Sequence, residues 1–115
     1  MRAALAALPI AAAVLAMPAA AQQPVAAPDI FVQVEKGNCI ACHQVPEGAG
    51  PRTRADLGPA LDGARMRALG RAKIRALIDD PTRDNPNTLM PPFGRHRILD
   101  AAEIQRLVEY LLALP

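Results

Sequence analysis

Gly37-Asn38-Cys39-Ile40-Ala41-Cys42-His43 sets two thiols three positions apart and follows them directly with a histidine, the spacing of a c-type haem attachment site. In such a site each thiol adds to one vinyl group of the porphyrin, and the two intervening residues let a single helical turn present both sulfurs to its edge. The histidine then lies under the iron, where a neutral imidazole is a good ligand. The pattern predicts one covalently attached haem c, held by Cys39, Cys42 and His43.

Blander readings of the same residues are a thioredoxin-like redox pair, half of a zinc site, or a plain disulfide. Zinc would need a second ligand pair, yet these are the only cysteines of the chain and His96 is its only other histidine. A thioredoxin-like pair sits where a strand feeds a helix, and no β-rich alternating run is present. Covalent haem is the expectation that survives.

Upstream, Met1-Arg2 leads into an alanine-rich apolar stretch to about Met17, then Pro18-Ala19-Ala20-Ala21-Gln22. A short apolar region with small residues before Gln22 predicts a secretory signal over residues 1–21 that is cleaved. Pro9 and Pro18 interrupt the run, which is short for a bilayer span, so no stable membrane anchor is expected after cleavage. Residues 22–28 read as a flexible Pro/Ala arm, and residues 29–115 as one domain of about ninety residues, too small for a generous core of its own. With no Trp, one Tyr and two Phe, the 51% hydrophobic content is mostly Ala and Leu; a large flat apolar cofactor would complete such a core. The formal charge is only +2, Arg2 included, and nothing points to nucleic acid.

Within the domain, Asp29 to Lys36 predicts a short helix opened by Pro28-Asp29 and stopped at Gly37. The Gly- and Pro-rich region Pro46 to Pro59 predicts a loop over one haem edge. Pro59 either offers its carbonyl to the remaining N–H of His43, fixing the tautomer of an iron ligand, or is an ordinary turn proline. Leu61 to Asp80 predicts helix in its second half, with Ile74, Leu77 and Ile78 as the apolar stripe and Pro81 as its end. Arg65, Arg67, Arg71, Lys73 and Arg75 make a basic run, which reads as a solvated face or as a surface that steers a partner.

Asn85-Pro86-Asn87-Thr88-Leu89-Met90-Pro91-Pro92-Phe93-Gly94 is too proline-rich for helix or strand, yet its Leu-Met-Pro-Pro-Phe segment would be wasted on the surface. Rigid proline flanks reduce the entropy lost in holding a soft thioether at a metal, so Met90 is the expected sixth iron ligand, with His43 as the fifth. Met66, in a helical setting between arginines, reads as packing. His96, in Arg95-His96-Arg97, is the rival ligand and reads as a surface residue. Finally, Asp100 and Glu103 form a capping box, with Leu99 and Ile104 as a hydrophobic staple. Ile104, Leu107, Val108, Leu111 and Leu112 then repeat at the spacing of one buried helical face. The first helix is its natural mate, with Tyr110 near Phe31.

Taken together, Cys39-Ile40-Ala41-Cys42-His43, Gly58-Pro59, the Met90 loop and the last helix resemble the class I c-type cytochromes. That resemblance implies a small all-α domain of three to four helices around one covalently bound haem. Asn85 to Gly94, with Gly37 to His43 and Gly58-Pro59-Ala60-Leu61, is similar to the SoxX family, monohaem subunits of the SoxAX complexes of bacterial sulfur oxidation. The resemblance implies a periplasmic electron-transfer subunit paired with a SoxA-like cytochrome. That partner carries the catalytic cysteine of an L-cysteine S-thiosulfotransferase, which couples thiosulfate to a cysteine of the carrier SoxYZ; electrons then leave for a downstream acceptor. Both thiols here are consumed by haem, so the chain by itself is expected to move electrons and make no bonds. The alternative is a free monohaem cytochrome serving a terminal oxidase or another periplasmic enzyme.

Overall fold

The last helix organises the molecule. In the computed structural model, which describes residues 26–115, the helices are α1 (Ala27–Val32), α2 (Gly63–Leu69), α3 (Arg71–Asp79) and α4 (Ala101–Leu112), with single 3-10 turns at Cys39–Ala41 and Pro81–Arg83. Among the described residues there is no strand, so the fold is all-α. The expected signal, residues 1–21, and the first part of the arm lie outside the described residues.

Helix α4 starts where its sequence says it should. Asp100 Oδ1 accepts from the Glu103 N–H at 2.7 Å, and Glu103 Oε2 accepts from the Asp100 N–H at 2.9 Å, so two otherwise orphaned donors are satisfied reciprocally. Ile104, Leu107, Val108 and Leu111 are buried along one face, while Leu112 is half-buried. Each fully buried side chain of this kind contributes about 1.5–3 kcal/mol relative to exposure. At the far end, Arg67 Nη1 donates to the carbonyls of Leu112 at 3.3 Å and Leu114 at 3.0 Å, placing a cation on the negative end of the helix. The other three helices all pack on α4.

Helix α1 is shorter than its sequence suggests and begins earlier. It ends at Val32 rather than Lys36, because Gln33 turns to extended backbone and its carbonyl accepts from Lys36 and Asn38, each at 3.1 Å. Val32 and Val34, both β-branched, add little to prolong a helix. Pro28 sits in the first turn, where its missing N–H costs nothing. Ile30 and Phe31 are sealed against α4, and the Phe31 and Tyr110 rings meet at 5.6 Å between centroids, tilted by 60°. Lys36, freed from the helix, reaches α4 instead and pairs its Nζ with the buried Glu103 carboxylate at 2.6 Å.

The stretch from Leu61 to Asp80 also departs from expectation, since its first half is helical too. Asp62 caps α2 by accepting from the Arg65 N–H at 2.8 Å, and Gly70 at φ +79° separates α2 from α3. Helix α2 buries only Gly63 and Met66, too few apolar positions to show a period among its arginines. Met66, 3 % exposed, is a core residue. Ile74 and Ile78 of α3 are buried and Leu77 is half-buried.

Candidate haem site

Asn38 enters the left-handed region at φ 43°, a conformation Asn tolerates better than most residues, and turns the chain into the single 3-10 turn Cys39–Ala41. The Cys42 and His43 N–H groups both donate to the Cys39 carbonyl, at 3.1 and 2.8 Å. Gly37 lets this turn lie against α1: a Cβ there would stand 2.9 Å from both the Ile30 carbonyl oxygen and Cys39 Sγ. Cys39 and Cys42 are both half-buried and not joined in a disulfide. Burial pushes the Cys39 thiol up to about 12, the opposite of what a thioredoxin-like nucleophile requires. Among the described residues no three His, Cys, Asp or Glu side chains cluster as a zinc site would.

His43 is held on two sides. Its Nδ1 lies 2.8 Å from the Pro59 carbonyl oxygen. With Nδ1–H donating to that oxygen, the lone pair is left on Nε2. Gly58 lies flat against the ring: a Cβ would stand 2.7 Å from Nδ1, 2.9 Å from Nε2 and closer still to Cε1. The loop that brings these groups to the ring is stitched back to the motif. Gly58 N–H donates to the Cys42 carbonyl and Leu61 N–H to the Gln44 carbonyl, both at 2.8 Å. Gln44 Nε2 donates to the Ala55 carbonyl at 2.7 Å, and the Thr53 hydroxyl to the Ile40 carbonyl at 3.2 Å. Tyr110 of α4 fastens the same loop by donating its hydroxyl to the Ala49 carbonyl at 2.6 Å. Sequence reading raised the Pro59 carbonyl but not the Gly58 contact or the Thr53 bond; the adjacent Gly-Pro pair is the only local trace of them.

Met90 comes from the loop between the Pro81–Arg83 turn and α4. Its N–H donates to Thr88 Oγ1 at 3.1 Å, and Asn85 opens the loop by accepting from the Thr88 and Asn87 N–H groups, each at 3.1 Å. Phe93 anchors the loop in the core, and its carbonyl accepts from the Ile98 and Leu99 N–H groups at 2.9 and 3.1 Å. Met90 is half-buried against the same apolar cluster that Cys39, Ile40, Val45 and Leu61 border. The Leu-Met-Pro-Pro-Phe segment is not buried as a unit: Phe93 is buried and Met90 and Pro92 are half-buried, whereas Pro91 is exposed and Leu89 is 80 % exposed. His96 is exposed between two exposed arginines. Two thiols on one turn, an imidazole with a single free nitrogen, and a half-buried apolar border that includes a thioether suit the donor chemistry and shape of a haem c.

Comparison with known proteins agrees with this geometry. Residues 26–111 match the model of the cytochrome c family described as cytochrome c oxidase, cbb3-type, subunit III, and the chain belongs to that family. It is a c-type cytochrome with covalently bound haem c. No curated protein matches the chain. Among solved structures, the crystal structure of SoxXA from P. pantotrophus is similar at a TM-score of 0.63 and 27% identity, over 76% of this chain and 77% of that one. The chain is thus a SoxX-like monohaem cytochrome.

Proposed function

We propose that this chain is the electron-transfer subunit of a periplasmic SoxAX-type complex, exported by residues 1–21 and consisting of a short arm, residues 22–28, and the cytochrome domain, residues 29–115. Its partner is a SoxA-like cytochrome that carries the catalytic cysteine. The observation that carries this reading is the 27% identity to SoxXA over three-quarters of both chains. Bound haem supplies reversible one-electron chemistry at iron. Cys39 and Cys42 would hold its edge through thioethers, and His43 and Met90 would supply the nitrogen and sulfur ligands to iron. The Pro59 carbonyl keeps Nδ1 protonated and the imidazole electron-rich, while the thioether of Met90 favours the ferrous state and raises the potential. Joining a thiosulfate sulfur to a carrier cysteine thiol forms one S–S bond and releases one proton and two electrons. This chain accepts such electrons singly and passes them to a downstream acceptor; it makes and breaks no bond itself.

The test is isolation of the protein from cells grown on thiosulfate. Co-purification with a larger, cysteine-containing cytochrome is expected, and a monomer without such a partner would refute the assignment. A second reading, a free cytochrome serving a terminal oxidase, draws on the oxidase subunit for which the family is described. Unimpaired thiosulfate oxidation in a deletion strain would favour it. For the ligand set, a haem stain surviving denaturing electrophoresis tests the two thioethers. Met90→Ala is expected to give a high-spin or water-ligated ferric spectrum, and an unchanged spectrum would return His96 or Met66 to consideration.

A further inference from the structure

The Met90 loop leaves and rejoins the fold at one place, the turn that follows α3. Its entry is fixed by the Asn85 N–H donating to the Pro81 carbonyl at 3.1 Å. Its exit is fixed by the Gly94 and Arg95 N–H groups, which both donate to the Asp79 carbonyl at 3.2 and 3.0 Å. A Cβ on Gly94 would stand 3.0 Å from Asp79 Cα and closer still to Asp79 Oδ1, so the two backbones touch here.

Asp80 sits in this neck and is only 5 % exposed. Its Oδ1 accepts from the Thr82 N–H at 3.2 Å and from the Thr82 hydroxyl at 2.5 Å. Its Oδ2 lies 3.4 Å from Arg83 Nε and 3.5 Å from Arg95 Nη1. Arg95 Nη1 also donates to Thr82 Oγ1 at 3.3 Å, which closes a circuit of Asp80, Thr82 and Arg95. A carboxylate withdrawn from water is tolerated only while such partners remain in place. The circuit ties the exit of the loop to the end of α3 and is separate from both the haem motif and the α1–α4 packing.

We propose that Asp80 is a positioning residue for the sixth iron ligand: through Thr82 and Arg95 its carboxylate holds the neck of the Met90 loop closed and keeps the thioether at the metal. The proposal rests on the reading of Met90 as that ligand. Imidazole added to the ferric holoprotein can reach iron only when Met90 swings away, so its rate of entry reports opening of the loop.

Asp80→Asn and Thr82→Val are each expected to speed imidazole entry by about ten-fold or more, the loss of one charge-assisted bond, and Arg95→Gln, which removes an exposed guanidinium, by a smaller but measurable factor. Thr82→Ser, which keeps the hydroxyl, is expected to retain the slow rate. Arg71→Gln, which removes an exposed pair with Glu109 between α3 and α4, is expected to leave it unchanged; equal acceleration there would reduce Asp80 to general stability and overturn the proposal. Should Asp80→Asn fail to load haem, the two Thr82 variants decide, since both leave the carboxylate in place. Slow entry in both Thr82→Val and Arg95→Gln overturns the proposal. Met90→Ala separates the two levels. If it binds imidazole no faster than the parent, the ligand reading itself fails; if it is fast while the neck variants are slow, only the role of Asp80 fails.

Discussion

Gly58→Ala is the sharpest test of how the imidazole is held. The new methyl would stand 2.7 Å from His43 Nδ1 and 2.9 Å from Nε2, where ordinary contact needs about 3.5–4.0 Å, so ring or backbone must give by about 1 Å. Neither is free to do so. The Gly58 N–H is committed to the Cys42 carbonyl at 2.8 Å, and His43 Nδ1 to the Pro59 carbonyl at 2.8 Å. A shift of that size takes the second bond beyond hydrogen-bonding distance. Overpacking costs about 1–3 kcal/mol, and the lost bond adds about 0.5–1.5 kcal/mol. In a domain of this size each kcal/mol moves Tm by about 4–8 °C, so a fall on the order of 10–20 °C is expected in a thermal melt of the holoprotein. With His43 as the proposed iron ligand, loss of the carbonyl partner also leaves the imidazole a poorer donor to ferric iron, so the reduction potential should rise. A variant that melts with the parent and keeps its potential would refute the account of His43 given above.

Gly70→Ala introduces a side chain at φ +79° and ψ 159°, with no neighbour within 4 Å of the new Cβ. The expected loss of about 1–3 kcal/mol in urea unfolding is therefore a backbone effect alone. Phe31→Ala removes a ring that is 1 % exposed and packed at a tilt against Tyr110; about 3–5 kcal/mol is expected from the same measurement. Val34→Ala, three residues on but 75 % exposed, should stay within about 0.5 kcal/mol. Acid should unfold the protein through Asp80 and Asp100, whose carboxyls are held below the usual range by the Thr82 hydroxyl and the Glu103 N–H respectively. A depressed folded pKa contributes stability that is complete above the unfolded value of about 3.9 and is lost as pH falls through the lower folded value. Urea midpoints should hold down to about pH 4 and then fall, and Asp100→Asn should flatten part of that fall.

What the sequence made legible was whatever is encoded over a few residues. The capping box Asp100 and Glu103 and the repeat from Ile104 to Leu111 place α4 without reference to anything else, and the Phe31–Tyr110 contact follows once two apolar faces must meet. Helix α2 escaped notice because it has too few apolar positions to show a period and, apart from the Asp62 cap, its fastenings are distant: Arg67 reaches the Leu112 and Leu114 carbonyls, and the Gly63 N–H donates to the Pro115 carbonyl at 2.9 Å. Lys36 shows the opposite error. A lysine ahead of a glycine reads as the end of a helix, yet it answers to Glu103, 67 positions away. The contact of Gly58 with the His43 ring is of the same kind, since only the folded loop shows that the missing Cβ makes room for an imidazole.

The two sides of the site are secured in physically different ways. On the histidine side, short backbone bonds from residues 58 and 61 to residues 42 and 44, the Thr53 and Gln44 side chains, and the Tyr110 hydroxyl all converge on one turn. No single one of them carries the ring alone. On the methionine side, Phe93 provides one apolar anchor and the rest is the polar neck around Asp80, where Arg83 and Arg95 are themselves exposed. Exposed cations are open to screening and exchange with water, whereas the stitched loop has few bonds that salt can reach. Local opening is governed by the weaker fastening, so the loop that carries Met90 is expected to open before the turn that carries His43. The imidazole of His43, on the same turn as both cysteines, stays in place.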